Sequence, residues 1–345
     1  MSKVLITGIT GYIGFQTLVI ALERGLSVRG VVRHHRNISK LQSQSALIAE
    51  CYEKGQLQFA VVPDFVAKGA FDNVLDGVTA IIHLASPLAV ESDDFESAII
   101  DPAVSMVNSV LESASRVPSV ERVVITSSCV TLIPFEWNFN PDNDRLYTSD
   151  DINNNPKRPF SNSMEAYWAS KALARMATRD FVLRKNPQFD YINLLPSVVI
   201  GPDQRISKNA ESLLEGTRAA VLAPALTSSL NSSFPYVGVP VHVADVARAH
   251  VDAIDKLRVP GNTEYILSSD TPEGVEWDRD VRNICEKYFP DQVKSEVLPL
   301  QGSLAAIKWR LDGAATENVF GWRFTSFEET MRQLVAQYLH LKSQE

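Results

Sequence analysis

An α/β fold on a doubly wound parallel sheet is what this sequence predicts, and two observations carry the prediction. Through the N-terminal half, short apolar runs rich in β-branched residues alternate with longer amphipathic segments. Strands buried on both faces read as continuous apolar runs, so this alternation is the signature of a parallel sheet with helices above and below. The second observation is a glycine-rich turn placed directly between the first apolar run and the first amphipathic segment, where a strand hands over to a helix. Crossovers in such sheets are right-handed almost without exception, so element order nearly dictates topology.

The predicted strands are Lys3–Thr7, Ser27–Val32, Leu57–Val62, Thr79–Leu84 and Glu121–Thr126, and the helices between them are Ile13–Arg24, Lys40–Lys54, Gly69–Leu75 and Phe95–Arg116. A further helical pattern opens near Tyr167 and reaches Lys185, followed by strand-like runs at Tyr191–Ile200 and Glu264–Leu267. Segments rich in Asn, Asp and Pro (Pro134–Pro159, Asp203–Asn209, Thr227–Pro240) read as loops and small helices, and Trp277–Leu341 is helical in pattern. With no linker or repeat, two interleaved lobes are expected. Residues 1–190, joined by 191–202 and about 240–270, would form mainly a nucleotide-binding domain. Residues 203–239 and 271–345 would form a smaller, mostly helical substrate lobe.

The 345 residues carry a net charge of −8, which disfavours nucleic acid or an anionic membrane as the main partner. No apolar run approaches the roughly 18 residues of a membrane span. The first strand begins almost at the initial Met, so no secretion signal is expected, and the three separated cysteines form no disulfide framework. A cytoplasmic protein, monomeric or homodimeric, is the resulting expectation. The six histidines show no metal-ligand spacing, and His242 and His250, on one predicted helix, are read as structural, so no metal is expected. The acid pairs Asp93–Asp94 and Asp150–Asp151 read as solvated or capping carboxylates.

The turn Gly8-Ile9-Thr10-Gly11-Tyr12-Ile13-Gly14 is the strongest local signal. Gly8 permits the tight turn, Gly11 lets backbone approach a pyrophosphate, and Gly14 lets the helix pack closely on the strand, with Thr10, Tyr12 and Ile13 beside the phosphates. Strand two ends at Val32 and offers Arg33 and Arg36 where an NAD-specific protein usually carries an acid. A guanidinium matches a 2′-phosphate in charge and shape, so NADPH is the expected cofactor, with Arg33 first and Arg36 second. Asp64, with Phe65 beside it, follows the third strand at the adenine position. Leu84, Ala85 and Ser86 follow the fourth, at the sheet's carboxyl edge where ligands collect.

Tyr167 and Lys171 lie four apart and share one helix face. A tyrosine hydroxyl ordinarily titrates near 10, and a nearby ammonium favours tyrosinate and can also hold the nicotinamide ribose. Thr126-Ser127-Ser128 closes the fifth strand. A serine hydroxyl there can hold a substrate carbonyl, and since neighbours alternate in direction, only Ser128 is chosen. Phe135, Trp137, Phe160, Phe234 and Tyr236 would either line an apolar pocket or form lobe core; Phe135 and Tyr236 are taken as substrate-side.

The glycine turn, the Ser-Ser strand end and the downstream YxxxK together resemble the extended short-chain dehydrogenase/reductase superfamily, on a Rossmann-type fold. His83–Pro87 (HLASP), Leu195–Pro202 (LPSVVIGP) and His242–His250 (HVADVARAH) are similar to its branch of dihydroflavonol reductases, cinnamoyl-CoA reductases and yeast ketone/methylglyoxal reductases. The likeness runs from Lys3 to about Tyr338. It implies an NADPH-dependent reductase of a ketone or aldehyde, in which Tyr167 donates the proton, Lys171 tunes it and anchors the ribose, and Ser128 holds the carbonyl. Pro196, Ser197 and Val198 would flank the nicotinamide, while His242 and Asp245 would brace sheet and helix. The implied partner is a small carbonyl compound, apolar or aromatic. Two departures stand out: Cys129 follows Ser128 where Ala or Gly is frequent, and Pro134–Ser163 matches no subgroup. Two other readings use the same parts, a sugar-nucleotide epimerase or dehydratase and a non-catalytic NADP-sensing regulator. The basic Arg33 region counts against the first and the intact Ser128, Tyr167 and Lys171 against the second.

Overall fold

In the computed structural model, which describes residues 3–269 and 273–345, the first half folds as the apolar runs dictate. Strands β1 (Lys3–Thr7), β2 (Ser27–Val32), β3 (Leu57–Val61), β4 (Val78–His83) and β5 (Arg122–Thr126) are joined by β6 (Asp190–Pro196) and β7 (Thr263–Leu267). They form one sheet in the order β7-β6-β5-β4-β1-β2-β3. Every pairing from β3 across to β6 is parallel. The order reverses between β1 and β4, and this switch point is where an open α/β sheet leaves a crevice at its carboxyl edge. The architecture is the Rossmann-type α/β fold.

Helices α1 (Tyr12–Glu23), α2 (Arg36–Gln44), α3 (Ala46–Glu53), α4 (Asp101–Ser115) and α5 (Ser163–Lys185) pair with these strands in sequence. Leu5, Val31, Ile81, Val110, Leu111 and Val123 form the heart of one core cluster. Three predicted helices differ in form. The single helix expected over 40–54 is two, because Ser45 is extended (φ −151°) and its hydroxyl caps α3 by accepting from Ile48 N. The helix expected over 69–75 shrinks to a 3₁₀ turn at Asp72–Val74, with Gly69 at φ +73° before it. In the segment 95–116, Glu96–Ile100 winds as a π turn before α4. Pro102 supplies the reason: lacking an N–H, it cannot continue an ordinary helical ladder back into the preceding turn.

The described residues divide into two compact units. The first holds residues 1–136, 148–195 and 247–266, and with them the sheet; the second holds 137–147, 196–246 and 267–345. The second unit has its own core, centred on Leu213, Val221, Trp277, Cys285, Phe327 and Met331. Its longest elements are the helices Trp277–Tyr288 and Phe327–Lys342, with two-residue bridges at Ala306–Ile307 and Arg310–Leu311. The run expected as one strand from Tyr191 to Ile200 is interrupted at Ser197, whose N–H donates to Leu267 O; Val198–Ile200 then pairs with Pro240–His242. His242 therefore ends a strand, and only His250 lies on the helix Val243–Asp252.

Candidate active site

The turn after β1 is built by its glycines. Gly8 sits at φ +74°, and a Cβ there would stand 2.8 Å from Ala85 N, so the turn lies directly against the backbone leaving β4. At Gly14 a Cβ would fall 2.1 Å from Gly8 O, so only glycine lets α1 start this close to the strand. Thr7 ties the two segments, its hydroxyl accepting from Leu84 N and Ala85 N at 3.2 Å each. Gly11 caps α1 with no side chain over the helix end and no acid in the first turn. That leaves the positive end of a 12-residue helix suited to phosphate, which is the fit a dinucleotide requires.

Of the residues expected around a dinucleotide, Arg33 directly follows β2 and Arg36 opens α2, and both are exposed. Asp64 is exposed and accepts from Val66 N at 3.0 Å, shaping the loop after β3. The Phe65 ring is buried against Phe71 with centroids 5.4 Å apart, so that side chain belongs to the core.

The pair expected to be catalytic, Tyr167 and Lys171, stands on the second and third turns of α5. Asn162 caps the helix by accepting from Glu165 N at 2.9 Å, and Glu165 in turn accepts from Ser161 N at 2.7 Å. Tyr167 is partly open, whereas Lys171 is buried, and its Nζ lies 5.7 Å from the Tyr167 ring centre. Lys171 Nζ donates to Ser86 Oγ at 2.9 Å, which joins α5 to the exit of β4. Burial pulls the Lys171 ammonium down to about 8. Burial, with a smaller contribution from Cys129, pushes the Tyr167 hydroxyl up to about 12. At neutral pH the tyrosine thus holds its proton and the lysine its charge.

β5 delivers the serines. Ser127 is buried and its N–H donates to Leu194 O at 2.8 Å. Ser128 is partly open, extended, and caps the short turn Cys129–Leu132 by accepting from Val130 N at 3.3 Å. Cys129 is buried, which drives its thiol up to about 12; the Ser128 hydroxyl opposes that rise, and the thiol lies within electrostatic reach of Tyr167. The departure noted in the sequence therefore sits beside the proposed proton donor.

Sequence reasoning missed a buried polar frame behind this pair. Arg175, one turn past Lys171, donates from Nε to Glu264 Oε2 at 2.8 Å, from Nη1 to Thr131 Oγ1 and Asp151 O at 2.9 Å, and from Nη2 to Ser149 O at 2.6 Å. Asn193 Nδ2 donates to the other Glu264 oxygen at 2.8 Å. These partners are 24 to 89 residues from Arg175 in sequence, so no local pattern marks them. An Arg one turn beyond Lys on the buried face of α5 was the only available signal.

The remaining expected residues fall as follows. The Phe135 ring meets Trp168 edge-on at 5.3 Å, next to Tyr167 in the chain. Pro196 ends β6, and Ser197 and Val198 follow in the second unit, as does the half-buried Tyr236, whose carbonyl accepts from Trp277 Nε1 at 3.2 Å. Trp137 is a core residue, packed against Trp309 at 5.3 Å and donating from Nε1 to Tyr147 Oη at 2.9 Å. His242 bonds Gln333 at 3.2 Å and Asp245 accepts from Thr325 N at 2.6 Å, both within the second unit. Among the described residues no group of His, Cys, Asp and Glu is arranged to hold a metal, and no helix is long and apolar enough to cross a membrane.

Residues 4–267 match the model of the NAD dependent epimerase/dehydratase family. The ketoreductase CTB6 of Cercospora nicotianae is 33% identical over 356 residues, covering 99% of this chain and 96% of its own. The ketoreductase sphI of Aspergillus fumigatus is 30% identical, covering 97% of each. Among solved structures, yeast methylglyoxal/isovaleraldehyde reductase Gre2 complexed with NADPH superposes with a TM-score of 0.79 at 23% identity, over 99% of this chain and 100% of that one. With the glycine turn, the α5 pair and these matches together, the chain belongs to the NAD dependent epimerase/dehydratase family and is an oxidoreductase of the extended short-chain dehydrogenase/reductase type.

Proposed function

We propose that the protein is an NADPH-dependent carbonyl reductase that converts a ketone or aldehyde to an alcohol, with Tyr167 as proton donor. One observation carries the reading: Tyr167 is held one helical turn from a buried Lys171 that is itself bonded to Ser86 where β4 ends, at the sheet's switch point. The names of the relatives CTB6 and sphI, both ketoreductases, and of the NADPH-bound Gre2 support the same chemistry. The glycine turn and the start of α1 would hold the pyrophosphate, and Arg33 with Arg36 the 2′-phosphate. NADPH, when bound, supplies the hydride to the carbonyl carbon.

The chain's own residues then handle the oxygen. Ser128 Oγ hydrogen-bonds the carbonyl and favours negative charge developing there. Tyr167 keeps its proton through neutrality, since burial holds it up to about 12, and releases it to the nascent alkoxide. The Lys171 ammonium offsets the tyrosinate that remains and would hold the ribose of a bound cofactor. Phe135, packed edge-on against Trp168, the chain neighbour of Tyr167, would supply apolar surface for a carbonyl compound bearing an apolar or aromatic group.

Consumption of NADPH and NADH by the purified protein, with a panel of aldehydes, aromatic ketones and diketones, tests this. Turnover with NADPH and preference for apolar carbonyls are expected. Tight cofactor binding without turnover of any carbonyl contradicts it.

A further inference from the structure

Beside Lys171 the first unit holds a small cavity of about 20 Å³. Its polar lining includes His83, Ser86, Ser127, Lys171 and Asn193, together with Thr126 and Arg175, whose side chains are bonded to His250 and to Glu264, Thr131, Asp151 and Ser149; Ala103, Val107 and Ile125 are part of its apolar wall. Three polar atoms at these residues are buried with no partner in the protein: His83 Nε2, Ser127 Oγ and Asn193 Oδ1. Each orphaned buried polar group costs stability unless something meets it. A space of this size accommodates about one water.

The hydrogen-bond roles of the lining can be assigned. Thr7 Oγ1 accepts from Leu84 N and Ala85 N, which uses both lone pairs, so its own proton goes to His83 Nδ1, 3.0 Å away. His83 therefore carries its ring proton on Nε2, and burial with the nearby Lys171 charge keeps the ring neutral by lowering it to about 3. Asn193 commits its amide nitrogen to Glu264, so its oxygen is the free acceptor. Lys171 gives one N–H to Ser86 and retains two. The lining thus offers two donors, His83 Nε2–H and Lys171 Nζ–H, and two acceptors, Asn193 Oδ1 and Ser127 Oγ.

We propose that this cavity is a water site, in which one ordered water accepts from His83 and Lys171 and donates to Asn193 and Ser127, and that His83 and Ser127 act through it as positioning residues for Lys171. All four positions of a water molecule are then matched. The water holds Lys171 in the orientation that serves Tyr167 and gives its ammonium a solvating partner inside the core. Its functional part rests on the reading of Tyr167 and Lys171 as the proton-transfer pair. The titratable and charged groups near Lys171 are His83 from β4, which feels its charge, Arg175 on α5, which lines the same cavity and is paired to Glu264 of β7, and the Tyr167 ring on α5.

A high-resolution crystal structure of the protein with NADPH, beside pH profiles of kcat/KM for wild type, Ser127→Ala, His83→Asn and His83→Gln, tests the proposal. Asparagine keeps an acceptor for Thr7 and loses the donor into the cavity, while glutamine restores an N–H at that reach. The expected structure shows one water within hydrogen-bonding distance of His83 Nε2, Asn193 Oδ1 and Lys171 Nζ. Ser127→Ala and His83→Asn should move the basic limb of the profile down by about half to one pH unit, with His83→Gln closer to wild type. No density in the cavity, or profiles unmoved in both variants, overturns it. If the water is present but no carbonyl is reduced, the site stands and the reductase reading fails, so the two claims are separable.

Discussion

Lys171 and Ser86, 85 residues apart in sequence, are joined by a 2.9 Å hydrogen bond from Nζ to Oγ. It ties α5 to the loop leaving β4, the same loop that Gly8 touches through Ala85. The glycine turn, the β4 exit and α5 are thereby one connected structure in the first unit. The ammonium is held where water is scarce, and that has a measurable cost.

Lys171→Met should raise the stability of the ligand-free protein at pH 7 by about 1–3 kcal/mol while abolishing turnover. Burial lowers the folded-state pKa to about 8, below the unfolded value near 10.4. Below pH 8 both states hold the proton and the burial cost is fully present. Between pH 8 and about 10.4 the unfolded state binds more protons, so wild-type stability rises with pH and the variant's advantage shrinks. Urea unfolding at pH 7 and pH 10 checks this; an advantage that does not fall with pH contradicts it.

The glycines divide by what they touch. Gly14→Ala places a Cβ 2.1 Å from backbone at Gly8 and should destabilise the fold by about 2–3 kcal/mol or more. Gly11→Ala meets only Gly8 O, at 3.3 Å, a tight contact that a small shift relieves, so its melting temperature should fall far less than that of Gly14→Ala. Its NADPH affinity should nonetheless fall by about tenfold or more, because the methyl stands where phosphate approaches the helix end. Calorimetry and fluorescence titration separate the two outcomes.

Arg33→Ser removes an exposed guanidinium from the end of β2. KM for NADPH should rise by about 10- to 100-fold, the worth of a charge-assisted contact to a 2′-phosphate, with KM for NADH nearly unchanged. An equal rise for both cofactors would mean that Arg33 supports the fold of the loop instead.

Much of the sheet is legible in the chain because its strands are short and buried on both faces. β1 and β2 begin and end where their apolar runs do. Helix breaks are harder to read, since Ser45 interrupts an amphipathic pattern with a cap that only its extended backbone reveals. The glycine turn, Tyr167 and Lys171 are readable from spacing, because a turn, a helix face and a strand end are local features. His83, Asn193 and the Arg175–Glu264 pair are not. Their partners come from β1, β5, β6 and β7, and only folding brings those atoms to Lys171. Trp137 shows the converse, an aromatic in a polar loop whose burial depends on Trp309 far along the chain.

The most direct test of the central claim is the rate of NADPH-dependent carbonyl reduction by Tyr167→Phe, measured beside its NADPH affinity and melting temperature. The account predicts kcat/KM reduced by about 10²- to 10⁴-fold with binding and stability close to wild type, because only the proton donor is lost. Reduction at the wild-type rate by the phenylalanine variant would contradict it.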